Sequence, residues 1–220
     1  MATTRDRRKS GWVSECVFCG NVGSTTRDHV PPKGIFLPPL PTDLVTVPAC
    51  ADCNGSTALD DEYFRACIAT QGYWTRAGAV LWKSKVVGST FKRSAGFRRM
   101  LADKIVSLPR TARRPDLPGG EKALLFEKDR INRIVRKVVL GLYWHHEKRR
   151  LPPATELEVF KDVPLDEELR QILGSMTPRF IGNGAFHYRY GVAMDDAERT
   201  LWLLQFYEKT QFMVATNRPR

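Results

Sequence analysis

Long hydrophobic runs are missing from this 220-residue chain: no uninterrupted apolar segment approaches the about 20 residues that cross a bilayer as a helix. A mean hydropathy of -0.34 with 42% hydrophobic residues points to a soluble chain able to bury one sizeable core or two small ones. Met1 to Ser14 carry no apolar stretch either. Arg5, Arg7, Arg8 and Lys9 stand where a signal peptide would need hydrophobic residues, so a cytoplasmic, reducing setting is expected. The chain has no internal repeats and no long low-complexity tract. It has no glycine-rich phosphate loop and no Ser/His/Asp grouping, which leaves nucleotide-cradle and serine-nucleophile chemistry without candidates. Acids are nearly absent from one segment. Between Arg76 and Arg114 the basic residues Arg76, Lys83, Lys85, Lys92, Arg93, Arg98, Arg99, Lys104, Arg110, Arg113 and Arg114 face only Asp103, and this segment holds most of the net charge of +11. Such a segment favours a polyanion. Trp74, Trp82, Phe91 and Phe97 lie among these charges, either as base-stacking rings or as core anchors of short helices with basic outer faces. The core reading is preferred, because large aromatics are usually buried.

Cysteine is present in small number and in a telling order: Cys16-Val-Phe-Cys19, then Asp28-His29, then Cys50-Ala-Asp-Cys53 followed by Asn54. Two Cys-x-x-Cys pairs about thirty residues apart suit a closed tetrahedral zinc site, since each pair forms a tight knuckle offering two thiolates. Disulfides are disfavoured by the reducing setting. The zinc would be structural, with no open position for chemistry. The fifth cysteine, Cys67, stands in the apolar stretch Tyr63 to Ile68 and reads as a small buried hydrophobe. Histidine is scarce as well, four in all. His145 and His146 follow Tyr143-Trp144 at a helix end, where such side chains meet unpaired carbonyls, and His187 sits in an apparent strand. That leaves His29, inside the loop closed by the cysteines and beside an aspartate, as the one with chemical promise.

Composition divides the chain into three stretches, 1–66, 67–150 and 151–220. The first holds the cysteines and a proline-rich loop from Pro31 to Pro41, expected to be irregular and exposed, with a helix starting near Cys50 or Asn54. The second is the basic helical stretch, broken by a loop at Arg113 to Gly120. It closes with a helix from Glu127 to about Glu147, whose apolar positions Ile131, Ile134, Val135, Val138 and Leu142 recur at three and four, while Arg130, Arg133 and Lys137 mark a basic side. The third reads as strands at Glu156 to Phe160, Phe186 to Ala193 and Leu201 to Val214, with Asp195-Asp196 as a turn. It carries eight basic and ten acidic residues, so packing or a partner suits it better than a phosphate backbone.

Taken together, Cys16, Cys19, Asp28-His29, Cys50, Cys53 and Asn54 make residues 14 to 66 resemble the HNH endonuclease family, the ββα-metal nucleases that carry a four-cysteine zinc site. Pro31 after the histidine and the apolar strand Leu44 to Val47 leading into Cys50 match the same pattern. The resemblance implies an α+β protein: a ββα-metal HNH module with structural zinc, followed by basic helices and a small antiparallel sheet. It implies His29 as general base activating water, with Asp28 and Asn54 as ligands of a catalytic magnesium or manganese ion. Two departures stand out. Asp43 occupies the place of an asparagine that braces the histidine loop, and an ionised aspartate accepts but cannot donate. Where a lysine or histidine often follows the Cys-Asn step, this chain reads Gly55-Ser56-Thr57 and then Asp60-Asp61-Glu62, an acidic trio read as either an extra metal ligand or, preferably, the solvated face of a helix. The expected function is hydrolysis of phosphodiester bonds in DNA, preferred over RNA on the resemblance and taken as double-stranded. The alternatives are an inactive zinc-knuckle nucleic-acid-binding or adaptor protein, or a nuclease subunit active only in a complex. The C-terminal region would be the docking surface for a second copy or a protein partner.

Overall fold

Alternating strands and one strongly periodic helix account for most of the architecture in the computed structural model, which describes residues 12–112 and 122–218. The basic N-terminal residues Arg5 to Lys9 and the expected loop at Arg113 to Gly120 lie outside the described residues. Three antiparallel strands come first, β1 (Trp12–Glu15), β2 (Val22–His29) and β3 (Thr46–Cys50), in the order β1-β2-β3. The expected strand at 44–47 is thus displaced toward the cysteines, and Pro48 sits inside it. That is compatible with β3 being an edge strand, because proline cannot donate to a second neighbour. Register pairs Asp28 with Val47 and His29 with Thr46. The chain runs from β3 directly into the short helix α1 (Ala51–Gly55), capped by Cys50, and then into α2 (Ala58–Gln71).

The basic stretch is helical over α3 (Arg76–Leu81), a π-helical segment Trp82–Thr90, α4 (Phe91–Arg93) and α5 (Ala95–Ala102). A small ladder of β4 (Ile105–Ser107) with β5 (Lys122–Leu124) follows. The long helix α6 spans Lys128–Glu147, as its periodicity predicts, and buries Ile131, Ile134, Val135, Val138 and Leu142. The C-terminal sheet is antiparallel, larger than expected, and ordered β6-β10-β9-β8-β7: β6 (Glu156–Lys161), β7 (Arg179–Ile181), β8 (Phe186–Val192), β9 (Thr200–Phe206) and β10 (Thr210–Asn217). The run Leu201 to Val214 is therefore a hairpin and not one strand. Its turn places Tyr207 and Glu208 at φ of 51° and 61°, a left-handed backbone that usually announces itself with glycine or asparagine. The nine-residue helix α7 (Glu167–Ser175) is tied to β8 through Arg189, which donates to the carbonyls of Leu173 and Met176.

One continuous hydrophobic cluster draws on all three compositional stretches, from Val17 and Tyr63 through Leu142 to Trp202 and Val214. Phe64 of α2 meets Phe206 of β9 edge-to-face at 5.2 Å, while His146 at the end of α6 stacks on Tyr190 of β8 at 4.4 Å. Both helices thus cover one face of the C-terminal sheet. His146 Nε2 lies 2.8 Å from the Tyr188 hydroxyl, so this histidine joins an aromatic stack rather than capping carbonyls. The proline-rich loop is irregular apart from a single 3-10 turn, Lys33–Ile35, but in its first half only Lys33 is exposed. Pro31, Pro32, Ile35 and Phe36 are buried, because the Tyr207 hydroxyl donates to the Ile35 carbonyl at 2.6 Å and Phe36 packs over Gly182. Cys67 is buried as expected, and burial pushes its thiol up to about 12.

Candidate metal centre and adjoining site

All four cysteines of the paired pattern converge. Cys16 and Cys19 lie in the turn between β1 and β2, where Gly20 adopts φ of 83° and its N–H donates to the Cys16 carbonyl at 2.9 Å. The Val17 N–H donates to the Pro48 carbonyl at 3.0 Å, which fastens this turn to β3. Cys50 ends β3 and caps α1, its sulfur accepting from the Cys53 N–H at 3.5 Å. The four Sγ atoms lie within 4.8 Å of one another, with Cys19 and Cys50 at 3.8 Å. Tetrahedral zinc with Zn–S bonds of ~2.3 Å spaces its sulfurs about 3.8 Å apart, so the donor set fits this ion. Electrostatics agree. Burial raises the Cys16 thiol, but the N–H groups of Cys19, Cys50 and Phe18 outweigh it and bring the pKa to about 6. Burial and the neighbouring sulfurs push Cys53 upward. Four thiolates this close would repel one another, a repulsion that a bound dication would offset.

Asp28 and His29 close β2, and Asn54 lies on α1 four residues beyond Cys50. The Asn54 side-chain amide donates to Thr26 Oγ1 at 2.8 Å. Thr26 precedes Asp28 by two residues, so both side chains project from the same face of β2. With its nitrogen engaged on Thr26, Asn54 keeps its amide oxygen as an acceptor. His29 is half-buried. Burial and the positive charge of Lys33 lower its pKa, with Asp28 acting in the opposite sense, so its imidazole is neutral at neutral pH. Asp43 accepts from the Gly182 N–H at 3.4 Å and ties the segment after His29 to the turn before β8.

The residue that the sequence reading misassigns is Lys137. It does not lie on an exposed basic side of α6: its side chain is 8% exposed, with Nζ 2.7 Å from Asp28 Oδ2, 2.7 Å from Thr57 Oγ1 and 3.3 Å from the Cys53 carbonyl. The approach to Asp28 falls outside hydrogen-bonding angles, so it is an ion pair rather than an aligned bond. The rest of that side is also engaged. Arg130 and Arg133 reach the two oxygens of Asp60 at 2.6 and 2.7 Å, and Glu62 takes Arg65 and Arg93. Hence the acidic trio is no solvated face. Asp60 is buried, and Asp61 lies under enough protein that burial raises its carboxyl to about 6, with Lys137 opposing and Asp28 adding to the rise. The signal was a stripe of cations at 130, 133 and 137 matching acids far upstream, which helical periodicity alone cannot pair.

Of the four aromatics among the basic residues, Trp82, Phe91 and Phe97 pack on the core as expected, whereas Trp74 is 49% exposed. Among the described helices none is long and apolar enough to cross a membrane. Compared with known proteins, the chain matches no family model, no curated protein and no solved structure.

Proposed function

We propose that this chain is a metal-dependent endonuclease of the HNH type that hydrolyses phosphodiester bonds in double-stranded DNA. The observation carrying this reading is the Asn54 to Thr26 hydrogen bond, which ties this amide to β2 two residues before the acid Asp28 and three before the imidazole of His29. A purely structural zinc knuckle has no need of that trio. In the proposed reaction His29, neutral at working pH, takes the proton of the attacking water, a step worth on the order of 10² to 10⁴ in rate. Asp28 and Asn54 offer the oxygen donors that hard cations prefer. A magnesium or manganese ion bound there would neutralise charge on the phosphorus centre and the leaving oxygen. Lys137, with Nζ 2.7 Å from Asp28 Oδ2, fixes the orientation of that side chain. The exposed cations Arg76, Lys83, Lys92, Arg93, Arg98 and Arg99 supply the long-range attraction to phosphate, a contribution that weakens as salt rises.

The same Lys137 ion pair favours a second reading, in which Asp28 is fully compensated by protein and the chain binds nucleic acid or a partner without cutting. Plasmid cleavage by zinc-loaded wild type and His29→Ala, each with EDTA, magnesium or manganese, separates the two. Cation-dependent nicking or linearisation that disappears in the mutant, with DNA binding retained, is the expected result. Equal cleavage by mutant and wild type would sink the role given to His29, and a folded, zinc-loaded wild type that never cuts would select the binding reading.

A further inference from the structure

Trp74 stands apart from the other rings of the basic stretch. It lies in a 3-10 turn, Gly72–Trp74, locked by Thr75, whose hydroxyl donates to the Gly72 carbonyl at 2.8 Å and accepts from the Gly78 N–H at 3.0 Å. Tyr73 braces the indole edge-to-face at 5.6 Å and 86°, so the ring is held while remaining half open to solvent. Among the described residues this indole is not part of the core cluster and has no hydrogen-bond partner. It forms one wall of a groove of about 500 Å³, with Arg76 beside it and Asn183, Tyr207, Glu208 and Lys209 opposite. That volume falls within the roughly 300–1,000 Å³ of small-ligand sites. The opposite wall is built from the two turns before β8 and β10, where Asn183, Tyr207 and Glu208 hold left-handed backbone. Through Ala77, Asn183 and Tyr207 the groove continues into a hollow of about 370 Å³ lined by Phe36 to Pro41, the segment that follows His29 in the chain.

We propose that this groove is a subsite for an unpaired nucleobase: the base stacks on Trp74, Asn183 presents an amide to its edge, and the flanking phosphates meet Arg76 and Lys209. The inference rests on the nucleic-acid part of the proposed function and not on catalysis. Duplex DNA hides base faces in its own stack, so the open indole selects single-stranded or extruded nucleotides. Stacking on an aromatic side chain tolerates any base and is worth roughly 5- to 150-fold in affinity when the ring is removed. Two cations against the single acid Glu208 keep the groove attractive to phosphate.

The test uses the zinc-loaded full chain carrying His29→Ala, so that the probe is not consumed, and measures anisotropy of labelled oligo-dT together with quenching of tryptophan fluorescence. Trp74→Ala is expected to weaken oligo-dT binding by about 5- to 150-fold and to abolish most of the quenching, with Trp74→Phe retaining most of the affinity and duplex binding nearly unchanged. Zinc content and thermal midpoint serve as the folding control, which an exposed ring should leave at wild-type values. Oligo-dT binding unaltered in Trp74→Ala overturns the proposal, as does an equal loss for duplex and single strand. The outcome is separable from the nuclease reading: Trp74-dependent binding in a protein that never cuts plasmid retires only the catalysis. His29-dependent cutting with oligo-dT binding indifferent to Trp74 retires only the subsite.

Discussion

Lys137 shows how much one buried ammonium can decide. Taking such a charge out of water is tolerable only because Asp28, Thr57 and the Cys53 carbonyl surround it. Removing one partner strands the other. Lys137→Met is expected to cost about 3–5 kcal/mol in urea unfolding, since it leaves Asp28 buried and uncompensated, while Asp28→Asn with Lys137→Met should recover a large part. Additive losses in the double variant would mean the pair is not coupled. His146 offers a prediction in pH. Burial first, then the charges of Arg179, His145 and Lys148, lower its pKa from 6.5 to about 4. Across that window the unfolded chain holds a proton that the native state does not, so the stability due to neutral His146 is complete above pH 6.5 and is lost as pH falls toward 4. His146→Gln, which can still reach the Tyr188 hydroxyl, should lose less stability than wild type between pH 7 and 4.5. Parallel pH profiles by urea denaturation would refute the assignment.

At the scale of elements, α6 reaches the end of β2 because residue 141 is glycine. A Cβ there would lie 2.6 Å from Val30 Cγ1, and Val30 is the buried residue next to His29. Alanine would gain up to about 1 kcal/mol in helix propensity. Overpacking against a stiff β-branched side chain costs typically about 1–3 kcal/mol, so the clash wins. Gly141→Ala is therefore expected to lower the melting temperature and to disturb the His29 loop, with Val30→Ala partly relieving it in the double variant. An unchanged or raised melting temperature for the single variant would show that the loop gives way freely. The same helix illustrates the limits of pattern reading. Periodicity located α6 to within a residue at its start, since apolar spacing is a property of one segment. Its cationic side is misassigned because the acids that absorb it, Asp28 and Asp60, are supplied by other elements. The turn at Tyr207-Glu208 was invisible for a related reason: its left-handed backbone is imposed by strand pairing on both sides and not chosen by turn-forming residues.

For the whole molecule, the cysteine site and the single core make local damage global. Structural zinc contributes about 10–16 kcal/mol in small peptide sites, comparable to the entire stability of a typical domain. Cys50→Ser is expected to behave as a folding defect, and because Lys137 and the continuous core join the knuckles to α6 and the C-terminal sheet, the loss should spread beyond residues 1–66. Circular dichroism in the aromatic region with zinc analysis checks this: a well-folded, zinc-free variant would contradict the role of the metal. The order of cysteines, the Asp28-His29 step, the long amphipathic helix and the strand-rich tail were all written in local spacing, because thiolate pairs, helical stripes and alternating strands arise from residues near one another in the chain. Only the tertiary structure decided that Asp60 and Glu62 are taken up by arginines, that the proline loop turns half inward, that Trp74 faces solvent while Trp82, Phe91 and Phe97 pack, and that a lysine over eighty residues from the second knuckle stands against Asp28. Those outcomes depend on which distant surfaces meet, and burial of a charge or a ring is a property of that meeting rather than of the residue.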